Sequence, residues 1–384
     1  MLNEPTRPPV WIHKTAQLHK VCRELQEHPR IAVDTESNSL FSYQEKVCLI
    51  QISSPIADYL IDPLEQIDLQ PIGDLFCDPE QEKIFHASEY DLICLKRDYN
   101  FSFSNIFDTM IAARILGHTH VGLDSLLEKY FSITLNKKYQ RANWGIRPLP
   151  KEMLDYARLD TYYLFDLRNT LEVDLVEKGL LDLAREDFVS ACRAHAQNNG
   201  SHVCDCWKVA GAKPLDGYEA AILNQLCEYR DAQAKKADLP LFKVFSNELL
   251  YQISKAKPTS QADLKTIPHC SEKIIRQHGN SFLKAVAAGL ESPPIHRPRN
   301  NRPDEDFLER IDLLKDWRKA KAKEMLVESD IVLPRDLLES IAASNPKNLS
   351  DLGNLMKESP IRFKKYGKTI MTVLAKRRKH EDKF

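Results

Sequence analysis

The back of this chain repeats itself. Residues 229–286 align without a gap to residues 317–374, at an offset of 88. "YRDAQAKK" (229–236) matches "WRKAKAKE" (317–324), and "LLYQISKAKP" (249–258) matches "LLESIAASNP" (337–346). Asp263-Leu264 matches Asp351-Leu352, and "RQHGNSF" (276–282) matches "KKYGKTI" (364–370). The period is too long for a solenoid unit, so it marks a duplicated small domain, all-helical by its pattern. Leu226/Leu314, Leu249/Leu337, Ile253/Ile341 and Leu264/Leu352 are the shared core positions. Gly279/Gly367 mark a tight approach or a helix cap. The shared basic pairs Arg230/Arg318, Lys235/Lys323 and Arg276/Lys364 are either solvated or in contact with phosphates. Between the copies, "ESPPIHRPRNNRPD" (291–304) reads as a stiff polar linker. The tail "KRRKHEDKF" adds further charge.

The front half is built differently. "AQLHKVCRELQEH" is an amphipathic helix, and "RIAVDTE", "KVCLIQIS" and "ADYLID" are three successive strands. "IGDLFCD" is a short helix, "KIFHA" a strand, and "SEYDLICLKRDY", "DTMIAARILG" and "GLDSLLEKYF" are helices. A long helical run follows from Pro150 to about Gly179. Strands in quick succession imply antiparallel pairing, and later alternation with helices implies a parallel part. The fold class is therefore α/β with a mixed sheet, followed by an irregular linker from about Ala196 to Asp216 and the helical repeats.

The net charge of −1 hides an asymmetry. Residues 1–190 hold 20 basic and 30 acidic side chains, whereas residues 191–384 hold 34 and 25. A basic back half suits a polyanion, and an acidic front half suits metal chemistry. No apolar run has the length of a membrane span, and "MLNEPTRPPVW" lacks a signal peptide's pattern, so the expected location is the cytoplasm. Most of the nine scattered cysteines are expected to be free and buried. The C-x-C of "HVCDCW" has no second pair, which argues against a zinc site.

The chemistry starts at "RIAVDTESNSL" (30–40). A buried strand ends in Asp34 and Glu36, and residues at i and i+2 of a strand share a face. Their repulsion points either to a solvated strand end or to a cation between them. Two later stretches carry further oxygen ligands. "FHASEYDLICL" places Asp91 early in a helix, with His86 at the preceding strand end. "LDYARLDTYYL" places Tyr156 and Asp160 at i and i+4, on one helical face. A phenol beside a carboxylate suits a metal ligand next to a group that orients or deprotonates water.

The ordered trio resembles the DEDD superfamily of 3′-to-5′ exonucleases, in its tyrosine-bearing branch. "RANWGIRPLPKEMLDYARLDTYYL" (141–164) is similar to the third motif of ribonuclease D, and the repeats resemble the HRDC domain. The resemblance covers nearly the whole chain. It implies a ribonuclease H-like exonuclease domain over 1–190 and HRDC-like domains over 211–291 and 304–380. It also implies that Asp34, Glu36, Asp91 and Asp160 hold two divalent ions, magnesium or manganese, and that Tyr156 positions the attacking water. The expected activity is hydrolysis of RNA from its 3′ end, releasing nucleoside 5′-monophosphates, with tRNA precursors and other small RNAs as substrates. A DNA-directed exonuclease and an inactive nucleic-acid-binding adaptor are the alternatives. Arg141, Arg147 and His86 are candidate substrate contacts, though the arginines can equally pair with nearby acids. Ser37 stands where many ribonucleases D have an aromatic residue, and Asn143 where an acid is common. A monomer is expected.

Overall fold

The computed structural model describes residues 5–193, 207, 209, 215–297 and 304–381, with side chains to residue 375. The expected linker around 196–216, the C-x-C stretch, the Arg-rich 298–303 and the tail side chains lie wholly or largely outside the described residues. Contacts divide the chain into two compact units. One holds residues 1–37, 47–196 and 302–384, and the other holds 38–46 and 197–301.

The first unit is built on six strands: β1 (Val10–Ile12), β2 (Arg30–Ser37), β3 (Val47–Ser53), β4 (Asp58–Ile61), β5 (Glu82–Phe85) and β6 (Ile106–Asp108). Their order is β1-β4-β3-β2-β5-β6. β2, β3 and β4 pair antiparallel, while β2–β5, β5–β6 and β1–β4 pair parallel. The mixed sheet matches the sequence reading, although β1 and β6 escaped it because three residues are too few to show a period. Every residue of "VCLIQIS" in β3 is buried, as expected for a strand covered on both faces.

The covering helices are α1 (Thr15–Gln26), α2 (Gln70–Cys77), α3 (Glu89–Tyr99), α4 (Thr109–Ile115), α5 (Leu123–Phe131), α6 (Lys151–Ala157), α7 (Leu159–Tyr162), α8 (Leu164–Glu177) and α9 (Leu181–Cys192). The run expected as one helix from Pro150 to Gly179 is thus three segments. The first break falls at Arg158, which is buried and held to Asp58 at 2.6 Å. The backbone there stays helical (φ −62°, ψ −28°), so the segments keep a common direction.

The two repeats match helix for helix along the chain. The first has α10 (Gly217–Ala237), α11 (Leu241–Val244), α12 (Asn247–Ala256), α13 (Gln261–Lys265) and α14 (Glu272–Glu291). The second has α15 (Glu305–Met325), α16 (Ser329–Val332), α17 (Arg335–Ser344), α18 (Leu349–Leu355) and α19 (Pro360–Glu381), and every helix starts 88 residues later. Left-handed residues recur at the same offset, at Asp238 and Leu326 and at Lys257 and Asn345. The shared arginines prove to be structural. Arg230 donates to the Phe245 carbonyl at 3.1 Å, and Arg318 to the Leu333 carbonyl at 2.9 Å, each 15 residues on. Lys235, Lys323, Arg276 and Lys364 are exposed.

The second repeat packs onto the sheet domain within one unit. Ile331 is buried in the same core as the strands. Arg362, 1% exposed, donates to Glu186 at 2.7 Å and to Asp187 at 2.6 and 2.9 Å. Arg114 reaches Glu328 at 2.7 Å and Asp330 at 2.6 Å. Gly117, at φ +86°, has no room for a side chain beneath the Leu326 carbonyl. The first repeat has Pro240, Phe242 and Ile274 where the second has Glu328, Asp330 and Arg362.

Removing one partner of a buried ion pair leaves a charge unsatisfied and costs about 3–5 kcal/mol. Arg362→Ala is therefore expected to lower the urea midpoint markedly. Arg335→Ala, which breaks an exposed pair with Glu339, is expected to leave it nearly unchanged. Equal effects would contradict this docking.

Candidate active site

Strand β2 passes through the middle of the sheet. Ile31, Ala32 and Val33 are fully buried, and the next residues, Asp34 to Ser37, are half-buried. Asp34 lies opposite Gln51 and Glu36 opposite Leu49 on β3. The register then slips between Glu36 and Ser37, a bulge of the kind that re-aims side chains at functional edges. The two acids therefore leave the sheet on one face where its pairing is interrupted.

Asp91 comes from the next strand along. β5 runs parallel to β2, with Ala32 beside Ile84, and leads through a short turn into α3. Asp91 sits in the first turn of that helix, 6% exposed, and accepts a hydrogen bond from the Thr35 hydroxyl. The turn is held by an acid whose part sequence reasoning missed. Asp108, 1% exposed, caps α4 by accepting from Met110 at 2.8 Å and Ile111 at 3.0 Å. It also accepts from the backbone N–H of Ala87 at 3.2 Å and of Ser88 at 2.7 Å. Ala87 has φ +62°, a strained setting for a residue with a side chain, and Asp108 secures it. The only sequence signal was a helix-capping Asp before Thr109.

His86 leads into this turn. Its Nδ1 lies 2.8 Å from the Thr109 hydroxyl, which itself donates to the Phe85 carbonyl at 3.0 Å. The hydroxyl has one proton, so His86 must donate from Nδ1, which leaves Nε2 as an acceptor. Burial pushes the His86 pKa below its ordinary value, which favours this neutral form.

Tyr156 and Asp160 arrive on α6 and α7, with the Arg158 break between them. The helix expected to carry both is therefore two segments. Arg158–Asp58 anchors the join, and Thr161 reaches Ser53 on β3 at 2.7 Å. The Tyr156 ring packs beside Tyr139 and Trp144, at centroid distances of 5.8 and 6.1 Å. Arg141 is exposed. Arg147 is fully committed elsewhere, to Asp62 at 2.6 Å twice and to the carbonyls of Trp144, Ile146 and Cys48. All five of its N–H groups are used, so it is the acid-paired arginine and has no donor for a phosphate.

The four acids sense one another. Burial raises the Asp34 pKa well above its ordinary value, and Asp91, Asp160 and Glu36 add to that by repulsion. Burial and then Asp160 and Asp91 push Glu36 up to about 9. Asp91 and Asp160 each rise to about 7, chiefly through burial. Burial and the acids also raise Tyr156, so its phenol keeps its proton. Among the described residues, no three His, Cys, Asp or Glu side chains stand ready-drawn around an ion. The donor set still fits a hard divalent cation: four carboxylates converge without a basic partner among the causes of their shifts.

These shifts carry a sign. A carboxyl whose folded pKa exceeds its unfolded one binds more protons when folded. Stability then falls as pH rises through the gap. For Asp91 and Asp160 the gap runs from 3.8 to about 7, and Glu36 extends it to about 9. In metal-free buffer, raising the pH across this range is expected to destabilise the wild-type chain more steeply than Asp34→Asn. Parallel stability–pH curves from denaturant titrations would contradict the convergence.

Comparison with known proteins identifies the domains. Residues 9–176 match the 3′-5′ exonuclease family, and residues 219–286 and 307–374 match the HRDC domain. Ribonuclease D of Nitrobacter hamburgensis is 28% identical, over 90% of this chain and 92% of that protein. Protein RRP6-like 2 of Arabidopsis thaliana is 29% identical over 73% of this chain, which spans about a third (34%) of that longer relative. The catalytic core of RRP6 from Trypanosoma brucei superimposes with a TM-score of 0.67 at 26% identity, covering 76% of this chain and 82% of the core. The chain carries a 3′-5′ exonuclease family domain followed by two HRDC domains, and it is a homologue of ribonuclease D over nearly its whole length.

Proposed function

We propose that this chain is a 3′-to-5′ exoribonuclease that hydrolyses RNA from a free 3′ end and releases nucleoside 5′-monophosphates. What carries the reading is that Asp34, Glu36, Asp91 and Asp160 are buried with raised pKa values, and that burial and three of these acids raise the Tyr156 phenol as well. Two divalent ions, magnesium or manganese, bound there would polarise the scissile phosphate and offset the acids' repulsion. Asp34 and Glu36 hold their place through the sheet, Asp91 through Thr35, and Asp160 through the anchored join at Arg158. Tyr156 acts as a neutral hydroxyl that orients the attacking water, since its raised pKa keeps it from serving as a base.

Arg141 is the proposed phosphate contact near the third motif, because it is exposed. His86 is proposed to meet a substrate hydroxyl through Nε2. In the helical domains, over 211–291 and 304–380, the exposed Lys235, Arg276, Lys323 and Lys364 are the candidates for the RNA backbone. tRNA precursors with extended 3′ ends are the proposed substrates, met by a monomer in the cytoplasm.

The test compares a 3′-extended tRNA transcript with a matched single-stranded DNA, with and without magnesium, and resolves products by size. Stepwise, metal-dependent shortening of the RNA is expected. Asp34→Ala and Asp160→Ala should abolish it in folded protein, and Tyr156→Phe should lower kcat by about a hundredfold or more. Preferential shortening of DNA would assign the other polymer. Binding without shortening would indicate an adaptor.

A further inference from the structure

Gln51 is a buried amide in a largely apolar strand. It is 0% exposed, and among the described residues neither its amide nitrogen nor its amide oxygen has a hydrogen-bond partner. Burying an amide unpaired costs about 1–3 kcal/mol, so such a group calls for an explanation. Leucine or isoleucine fills the other central positions of β3 and would suit this one by packing alone.

Its location supplies the explanation. Gln51 stands directly across the antiparallel pair from Asp34, and residues so paired share a face with Cβ atoms about 4.5–5.5 Å apart. On its other side is Leu60 of β4. Two residues along the same face, Ser53 touches Thr161 of α7 at 2.7 Å. Two residues back, Leu49 packs in the cluster of Leu60, Trp144 and Ala157, against which Tyr156 rests. This face of β3 therefore lies beneath α6 and α7, the segments that carry Tyr156 and Asp160. Gln51 thus lies buried between Leu60 on one side and Asp34 on the other, on the face that also carries Leu49 and Ser53. The Trp144 indole N–H, in that same cluster, is likewise buried without a partner.

We propose that Gln51 is a positioning residue whose amide N–H orients the Asp34 carboxylate for binding divalent cations. This rests on the metal-dependent reading of the same four acids. An ionised carboxylate has four lone-pair sites, and cations occupy only some of them. A donor on the protein side fixes which oxygen faces the ions, as outer partners of metal ligands do elsewhere.

The experiment measures Mn²⁺ binding by calorimetry in wild type, Gln51→Met and Gln51→Leu, together with metal-free stability and the split between kcat and KM. Loss of such an outer partner weakens metal binding by about 10–100-fold, and at least about tenfold is expected here. Metal-free stability should hold or rise, because an unpaired amide is replaced by an apolar chain. kcat should fall with KM for RNA little changed. Unchanged Mn²⁺ affinity in either folded variant would overturn the proposal, as would weaker binding matched by an equal loss of metal-free stability in both. No Mn²⁺ binding by the wild type would instead overturn the reading of the four acids, and the inference with it.

Discussion

Four buried carboxylates, Asp34, Glu36, Asp91 and Asp160, have their pKa values raised by burial and by repulsion among acids, with no basic side chain among the causes. That repulsion is the constraint on which the rest of the site depends. Each acid is fixed by a different neighbour. Asp34 and Glu36 are fixed by the central position of β2, paired on both sides and buried at Ile31, Ala32 and Val33. Asp91 is fixed by the Thr35 hydroxyl and by the turn that Asp108 clamps. Asp160 is fixed by the Arg158–Asp58 pair beneath the helix break. Two arginines around the third motif, Arg158 and Arg147, are taken up by scaffold acids, Asp58 and Asp62.

One repeat serves two purposes. Both copies keep the same helices, the same left-handed junctions and the same arginine-to-carbonyl brace, at Arg230 and at Arg318. The second copy replaces Ile274 by Arg362 and Phe242 by Asp330, and these side chains seat it on the exonuclease domain. Its role is therefore at least partly to buttress that domain. The first copy forms a separate compact unit with residues 38–46, where Tyr43 donates to Asp231 at 2.8 Å. Divergence between the copies falls where one of them docks.

Much of this was legible in the sequence because its signals were periodic or spaced. The offset of 88 showed both helical domains, and alternation at Asp34 and Glu36 put both acids on one face. Three-residue strands such as β6 left no period to read. The break at Arg158 was hidden because its cause is a distant partner, Asp58, in a stretch whose local pattern is helical. Arg147 looked like a phosphate contact beside a motif, and only the fold shows its five N–H groups already taken. Asp108 and Gln51 were invisible for the same reason. One reads as a helix cap and the other as an ordinary strand residue, and their importance lies in what crosses the sheet to meet them.

The most direct measurement is an anomalous difference map from a crystal of this chain soaked in Mn²⁺. The account predicts two peaks, enclosed by Asp34, Glu36, Asp91 and Asp160. Fully occupied Mn²⁺ elsewhere in the molecule, with none among these four carboxylates, would contradict it.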